Sequence, residues 1–192
     1  QVQNKLLILG DVFGKQEEEA GRPFVGAAGF MLNQVLAMNG IAREECYLTN
    51  VFNLRPSGGD IKSMCGARGD AIPGLPKHGA GYIRSEFAPE LTRLRSELSA
   101  IKPNLILALG PTAAWFLPGD SRISKIRGST IQTPFGKVLP TYHPSSVLRE
   151  YTLRPILIAD VEKAAKERAY PDVRRPQRFI HIEPDFADIQ NF

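Results

Sequence analysis

The sequence predicts an α/β protein, a three-layer α/β/α sandwich around a central, mostly parallel four-stranded sheet. Two short apolar runs carry that expectation, Leu6-Leu7-Ile8-Leu9-Gly10 and Leu105-Ile106-Leu107-Ala108-Leu109-Gly110, each ending in glycine. A strand covered by helices on both faces reads as a continuous apolar run, whereas a half-exposed strand alternates. Helical patterns that alternate with such runs along the rest of the chain argue for the same layering.

Taken in order, the segment from Asp11 to Gly26 follows the first strand and so lies at a carboxyl edge of the sheet. It holds the triple Glu17-Glu18-Glu19 and then Gly21-Arg22-Pro23-Phe24-Val25-Gly26. Between Ala28 and Met38, Phe30, Met31, Val35, Leu36 and Met38 recur at helical spacing, and Asn39-Gly40 supplies a left-handed stop. A helix packed on the sheet is expected there. Cys46 to Phe52 is the next strand, with Asn50 near its end. From Asn53 to Tyr82 the pattern dissolves into prolines and glycines, a connection long enough to be functional or mobile. Ser85 to Ile101 returns to helical spacing, with Phe87, Leu91, Leu94, Leu98 and Ile101 inside and Arg84, Arg93 and Arg95 outside. After the second apolar run, Pro111 opens a short helix through Leu117. Thr130 to Tyr142 contains two short β-like runs around Pro134-Phe135-Gly136. Pro155 begins a last helix whose Ile156, Leu157, Val161 and Ala164 face inward.

Length and composition bound the function classes. The 192 residues, 43% of them hydrophobic, suit one domain with its own core. We assign it to residues 1–170, with 171–192 as a basic linker and the start of a further element. No apolar run reaches the roughly 20 residues that span a bilayer, and the N-terminus has no signal-peptide pattern, so a cytoplasmic protein is expected. Cys46 and Cys65 are the only cysteines, too few for a disulfide framework and without metal-ligand spacing. Free thiols, no metal and no cofactor are expected. The net charge of +4 gathers in Arg122-Lys125-Arg127 and between Arg168 and Arg178, which fits a polyanionic partner.

Thr141-Tyr142-His143-Pro144-Ser145-Ser146-Val147-Leu148-Arg149 joins an imidazole to a stiff turn and an apolar-basic tip. Pro144 forces His143 out of helical dihedrals, and the preceding strand-like run sets the imidazole at a carboxyl edge, where open α/β sheets bind ligands. An ordinary His-Pro turn is the plainer reading. Four loops converge on that edge: Gly10 to Gly14, Arg22 to Gly26, Asn50 to Pro56, and His143 to Arg149.

Those loops carry a resemblance. Gly21-Arg22-Pro23-Phe24-Val25-Gly26-Ala27-Ala28-Gly29, Thr49-Asn50-Val51 with Arg55-Pro56, Leu109-Gly110, Arg127-Gly128 and Thr141-Tyr142-His143-Pro144-Ser145 are similar, in order, to motifs of the uracil-DNA glycosylase superfamily. The similarity is closest to its thermostable iron-sulfur branch and covers about Leu6 to Lys166. The resemblance implies a DNA partner, single- or double-stranded, and hydrolysis of the N-glycosidic bond of a flipped deoxyuridine by a monomeric domain. It implies that Phe24 stacks on the base, Asn50 pairs with its polar edge, His143 stabilises the uracil anion, and Asp11 positions water or offsets the sugar's cation. Arg127, Ser145, Leu148 and Arg149 become DNA contacts, Leu148 as an apolar wedge and Arg149 as a phosphate clamp. Plainer roles stand beside these: a core plug for Phe24, a strand-end turn residue for Asn50, a cap on the following helix for Leu148.

Departures from the pattern bear on activity. The first motif of the iron-sulfur branch is usually Gly-Glu-Ala-Pro-Gly, whereas here it reads Gly10-Asp11-Val12-Phe13-Gly14, with a shorter acid and a bulky Phe13 beside the pocket. Leu54 stands where a cluster cysteine would follow Asn50, so no cluster is expected. An active glycosylase and a non-catalytic DNA-binding module are the two functional readings. The tail after Pro171 resembles the junction in some bacteriophage DNA polymerases, which implies covalently linked exonuclease and polymerase regions.

Overall fold

A computed structural model describes residues 5–79 and 81–174. The tail expected to begin a further element lies, from residue 175 on, outside the described residues. The two apolar runs form strands β1 (Leu6–Val12) and β5 (Leu105–Leu109) at the centre of the main sheet. Beside β1 lies β2 (Cys46–Phe52), and beside β5 lies β7 (Gly136–Thr141), all four strands parallel. The sheet has five strands where four were expected. The extra one, β6 (Ile131–Thr133), pairs antiparallel with β7 at the edge, giving the order β2-β1-β5-β7-β6. The hairpin closes because the Thr133 hydroxyl accepts from the Phe135 N–H and donates to the Gly136 carbonyl, a local turn satisfied by its own side chain.

Alternate residues of the central strands feed two cores, as a strand's period of two requires. Leu6, Ile8, Leu105, Leu107 and Leu109 face helices α2 (Ala27–Met38), α6 (Pro144–Arg149) and α7 (Arg154–Glu167). Leu7, Leu9, Ile106 and Ala108 face α3 (Ala88–Ile101) and α4 (Pro111–Phe116). Fully burying each such side chain is worth about 1.5–3 kcal/mol, so this double core fixes the strand register.

Three further features differ from the sequence expectation. The loop from Asp11 to Gly26 contains the short helix α1 (Lys15–Ala20). The connection from 53 to 82 folds into 3-10 turns, and β3 (Cys65–Gly66) pairs antiparallel with β4 (Tyr82–Ile83), while Met64, Ile72 and Ile83 join the second core. Phe30 and Met38 of α2 point outward, 66% and 56% exposed, because the buried stripe runs through Met31, Leu32, Val35 and Leu36. No helix among the described residues is long and apolar enough to cross a membrane.

Candidate active site

The chain runs from β1 to β2 on one side and then to β5 on the other, so the strand order reverses between β1 and β5. Crevices at such reversals are the usual ligand sites of open α/β sheets. Here a pocket of about 540 Å³ opens at the carboxyl ends, lined by Asp11, Phe24, Asn50, His143, Ser145 and Arg149, with Phe13 and Glu17 in its wall. Six of the eight sequence-predicted site residues therefore meet in one cavity. Phe13, the bulky residue of the altered first motif, packs against the wall and leaves the cavity open.

Asp11 ends β1 facing the start of α4. Its Oδ1 accepts the Thr112 and Ala113 N–H groups, both at 3.2 Å. These bonds favour the carboxylate, but burial outweighs them and pushes the pKa up to about 7. Asn50 lies two residues before the end of β2, in register with Gly10, whose missing side chain leaves room for the Asn50 amide and the Phe24 ring. Its backbone is clamped by Arg93. That guanidinium donates to the carbonyls of Asn50 at 2.8 Å and Val51 at 3.2 Å, and is itself held by Glu90 and Glu97. Arg93 was expected on the outer face of its helix; it turns toward β2 because two carboxylates and two strand-end carbonyls converge there.

Phe24 sits at φ 56°, a left-handed conformation that a bulky residue adopts at a cost. Glu17 holds the loop in it, accepting the Val25 N–H at 3.1 Å and the Gly26 N–H at 2.8 Å on one carboxylate oxygen. Gly29 lets the Phe24 carbonyl lie against α2. The Phe24 ring is 6.0 Å from that of His143 and inclined by 25°, so the two rings stand near-parallel at the pocket.

His143 is extended, φ −71° and ψ 139°, as the following proline requires, and its ring caps α6. The Ser145 N–H donates to Nδ1 at 3.1 Å, with the Ser145 hydroxyl 2.8 Å from the same nitrogen. A backbone N–H can only donate, so Nδ1 is the acceptor and the neutral ring carries its proton on Nε2. Burial, and then the positive charge of Arg149, lower the pKa to about 4 against a smaller opposing effect of Glu17. The imidazole is therefore neutral at physiological pH, with one N–H donor left for the pocket.

On the rim, Leu148 is 48% exposed, and Arg149 reaches the Ser146 hydroxyl at 3.2 Å. Arg127 requires a correction. It was expected to meet phosphate, but both arms of its guanidinium bond the buried Asp160 carboxylate, which also accepts the Thr141 hydroxyl at 2.6 Å. A guanidinium committed to a buried carboxylate in this way is part of the scaffold behind β7.

The sequence profile of the uracil DNA glycosylase superfamily matches residues 1–174. The chain belongs to that superfamily. It is 34% identical over 166 residues to the type-4 uracil-DNA glycosylase of Thermotoga maritima, covering 83% of this chain and 76% of that protein. It is 32% identical over 168 residues to the type-4 enzyme of Archaeoglobus fulgidus, covering 83% and 74%. The type-4 enzyme of Pyrobaculum aerophilum is 30% identical over 158 residues, 78% and 70% of the two chains.

An iron-sulfur cluster of the kind found in one branch of this superfamily takes four thiolates. The residues present do not fit one. The sequence has two cysteines, and each thiol lies 3.6 Å from a carbonyl one turn back, Cys46 on Ala42 and Cys65 on Ile61. Burial pushes the Cys46 thiol up to about 11 and raises that of Cys65, the opposite of what a metal thiolate needs. Sequence reasoning missed Glu17, Arg93 and Asp160 as site-forming residues. Each is an ordinary acid or base in sequence; the partners of Arg93 and Asp160 lie 43 and 33 residues away, and those of Glu17 are backbone N–H groups, which carry no sequence signal.

Proposed function

We propose that this protein is a uracil-DNA glycosylase that hydrolyses the N-glycosidic bond of a deoxyuridine flipped out of DNA. The observation that carries the reading is that His143, with Nδ1 taken by the Ser145 N–H and its proton therefore on Nε2, lines the same pocket as Phe24 and Asn50. Phe24 stacks on the base. Asn50 offers a donor and an acceptor to the uracil imide and carbonyl. As the bond from C1′ to N1 breaks, both electrons go to the base, and His143 donates to the carbonyl oxygen on which negative charge collects. Ionised Asp11 offsets the positive charge left on the sugar and orients the water whose oxygen bonds to C1′ as its O–H breaks and the proton passes to the carboxylate. Leu148 fills the space of the flipped nucleotide, while Ser145 and Arg149 contact the backbone. The names of the curated relatives support the same activity. A linked polymerase and exonuclease, expected from the tail, rests on residues outside those described.

Incubation with single- and double-stranded DNA containing deoxyuridine tests the reading. Abasic sites are expected, and His143→Ala should lower kcat about 10²–10³-fold with binding retained, the usual loss on removing one preorganised donor. Tight binding without any abasic product would make the protein a binding module instead.

A further inference from the structure

His78 lies in the connection between β3 and β4, outside the pocket, and only 5% of it is exposed. Its ring stands edge-on to Trp115 of α4 at 5.6 Å, and the Trp115 indole N–H donates to the Pro76 carbonyl at 2.7 Å, tying this part of the connection to α4. His78 Nε2 is 3.1 Å from the Thr112 hydroxyl, and Nδ1 has no partner among the described residues. Thr112 is wholly buried, and its backbone N–H is one of the two that hold Asp11. The same residue thus touches the pocket carboxyl on one side and a buried imidazole on the other.

A histidine kept only for packing is poorly served here, because an apolar side chain would fill the space without burying an unpaired nitrogen. The bonding pattern gives the ring a different use. Burial lowers the His78 pKa, so the ring is neutral and holds one proton. The Thr112 hydroxyl stands 3.1 Å from Nε2, and the backbone N–H of the same residue donates to Asp11 at 3.2 Å. A ring proton on Nε2 meets the hydroxyl oxygen and leaves Nδ1 as a bare lone pair. An orphaned acceptor is tolerated better than an orphaned N–H.

We propose that His78 is a positioning residue for Asp11, donating from Nε2 to the Thr112 hydroxyl and so holding Thr112, with its backbone N–H, and the first turn of α4 against the carboxyl. The inference rests on the role given to Asp11 in the proposed reaction. It gives the connection from 53 to 82 a part in the chemistry without any contact with substrate. The other charged or titratable groups around Asp11 are Glu17 of α1, Asp60, His143 and Arg149 of α6, all lining the pocket and none bonded to it. α4 and β5 contribute none.

The test is a carbon-detected NMR titration of the Asp11 carboxyl in the full chain, assigned with Asp11→Asn, beside the pH profile of uracil excision. His78→Leu keeps the bulk and removes the donor, and His78→Gln returns an N–H at the place of Nε2. His78→Leu should raise the Asp11 midpoint by about half a pH unit, the scale of one modest hydrogen bond, and move the acid limb of kcat equally with KM unchanged. His78→Gln should restore the parent midpoint. An unchanged midpoint in His78→Leu, or an equal shift in His78→Gln, overturns the proposal. Should His78→Leu not fold, Thr112→Val against Thr112→Ser answers the same question: only the valine should shift the midpoint, and equal midpoints refute the relay. The titration needs no turnover, so it separates failure of this coupling from failure of the glycosylase reading.

Discussion

Gly10, Asn50 and Phe24 share a volume that admits no further methyl group. A Cβ on Gly10 would overlap the Asn50 amide oxygen and the tip of the Phe24 ring, both of which line the pocket. Gly10→Ala should therefore push both groups aside without touching substrate itself. Displacements of this kind cost catalysis on the order of 100-fold, so kcat/KM for uracil excision should fall by about that factor. Asn50→Asp acts differently, keeping the shape and removing the donor, since a carboxylate only accepts. Its kcat/KM should fall by at least about 10²-fold, as in sites built to hydrogen-bond their substrate. Single-turnover kinetics on one deoxyuridine oligonucleotide measures both, and parent-like rates in Asn50→Asp would remove Asn50 from base recognition.

At the scale of elements, α6 and α5 (Ile123–Ile126) with the Arg127 that follows it separate a pocket-rim arginine from a structural one. Arg149 stands on the rim, whereas Arg127 is spent on Asp160. Arg149→Ala should reduce the slope of log affinity against log salt by about 0.9, one phosphate's worth on duplex DNA. Arg127→Ala should leave that slope alone and lower stability by about 3 kcal/mol, because it strands a buried carboxylate. Fluorescence anisotropy across a salt series and urea unfolding give the two numbers. The contrast also shows what was legible. β1 and β5 could be read because a strand buried on both faces has no polar residue to interrupt it. Asp11, Phe24, Asn50 and His143 could be placed because each follows or ends such a strand and the motifs around them are specific. Arg127 and Arg93 could not, since an arginine's direction depends on a partner such as Asp160, 33 residues away. The outward turn of Phe30 and Met38 was hidden because both keep helical spacing with the true buried stripe. The fifth strand was visible as one of the two short β-like runs around Pro134-Phe135-Gly136 but was not counted into the sheet, because a run of three residues gives no pairing signal of its own.

For the whole molecule, the site makes two opposed contributions to stability. Asp11 titrates at about 7 in the fold against 3.8 for a free side chain, so between those values the native state holds a proton that the unfolded chain has lost. Its contribution falls as pH rises from about 4 to 7. His143 titrates at about 4 against 6.5, so there the unfolded chain holds the extra proton and the contribution rises with pH from about 4 to 6.5. The two effects offset each other across most of that window. Removing one exposes the other. Asp11→Asn keeps an oxygen that accepts the Thr112 and Ala113 N–H groups and has no charge to bury. Each pKa unit corresponds to about 1.36 kcal/mol, and solvent reaching Asp11 through the pocket mouth reduces the full value. Relative to the parent, Asp11→Asn should be about 2 kcal/mol more stable at pH 8, with the gain gone near pH 4. Such a gain, together with lost excision, is what a site that trades stability for reactivity would show. Urea unfolding of parent and variant at pH 4, 6 and 8 measures the difference, with the titrations common to both proteins cancelling. A variant less stable than the parent at pH 8 would mean that the carboxylate is better accommodated beside α4 than its burial implies.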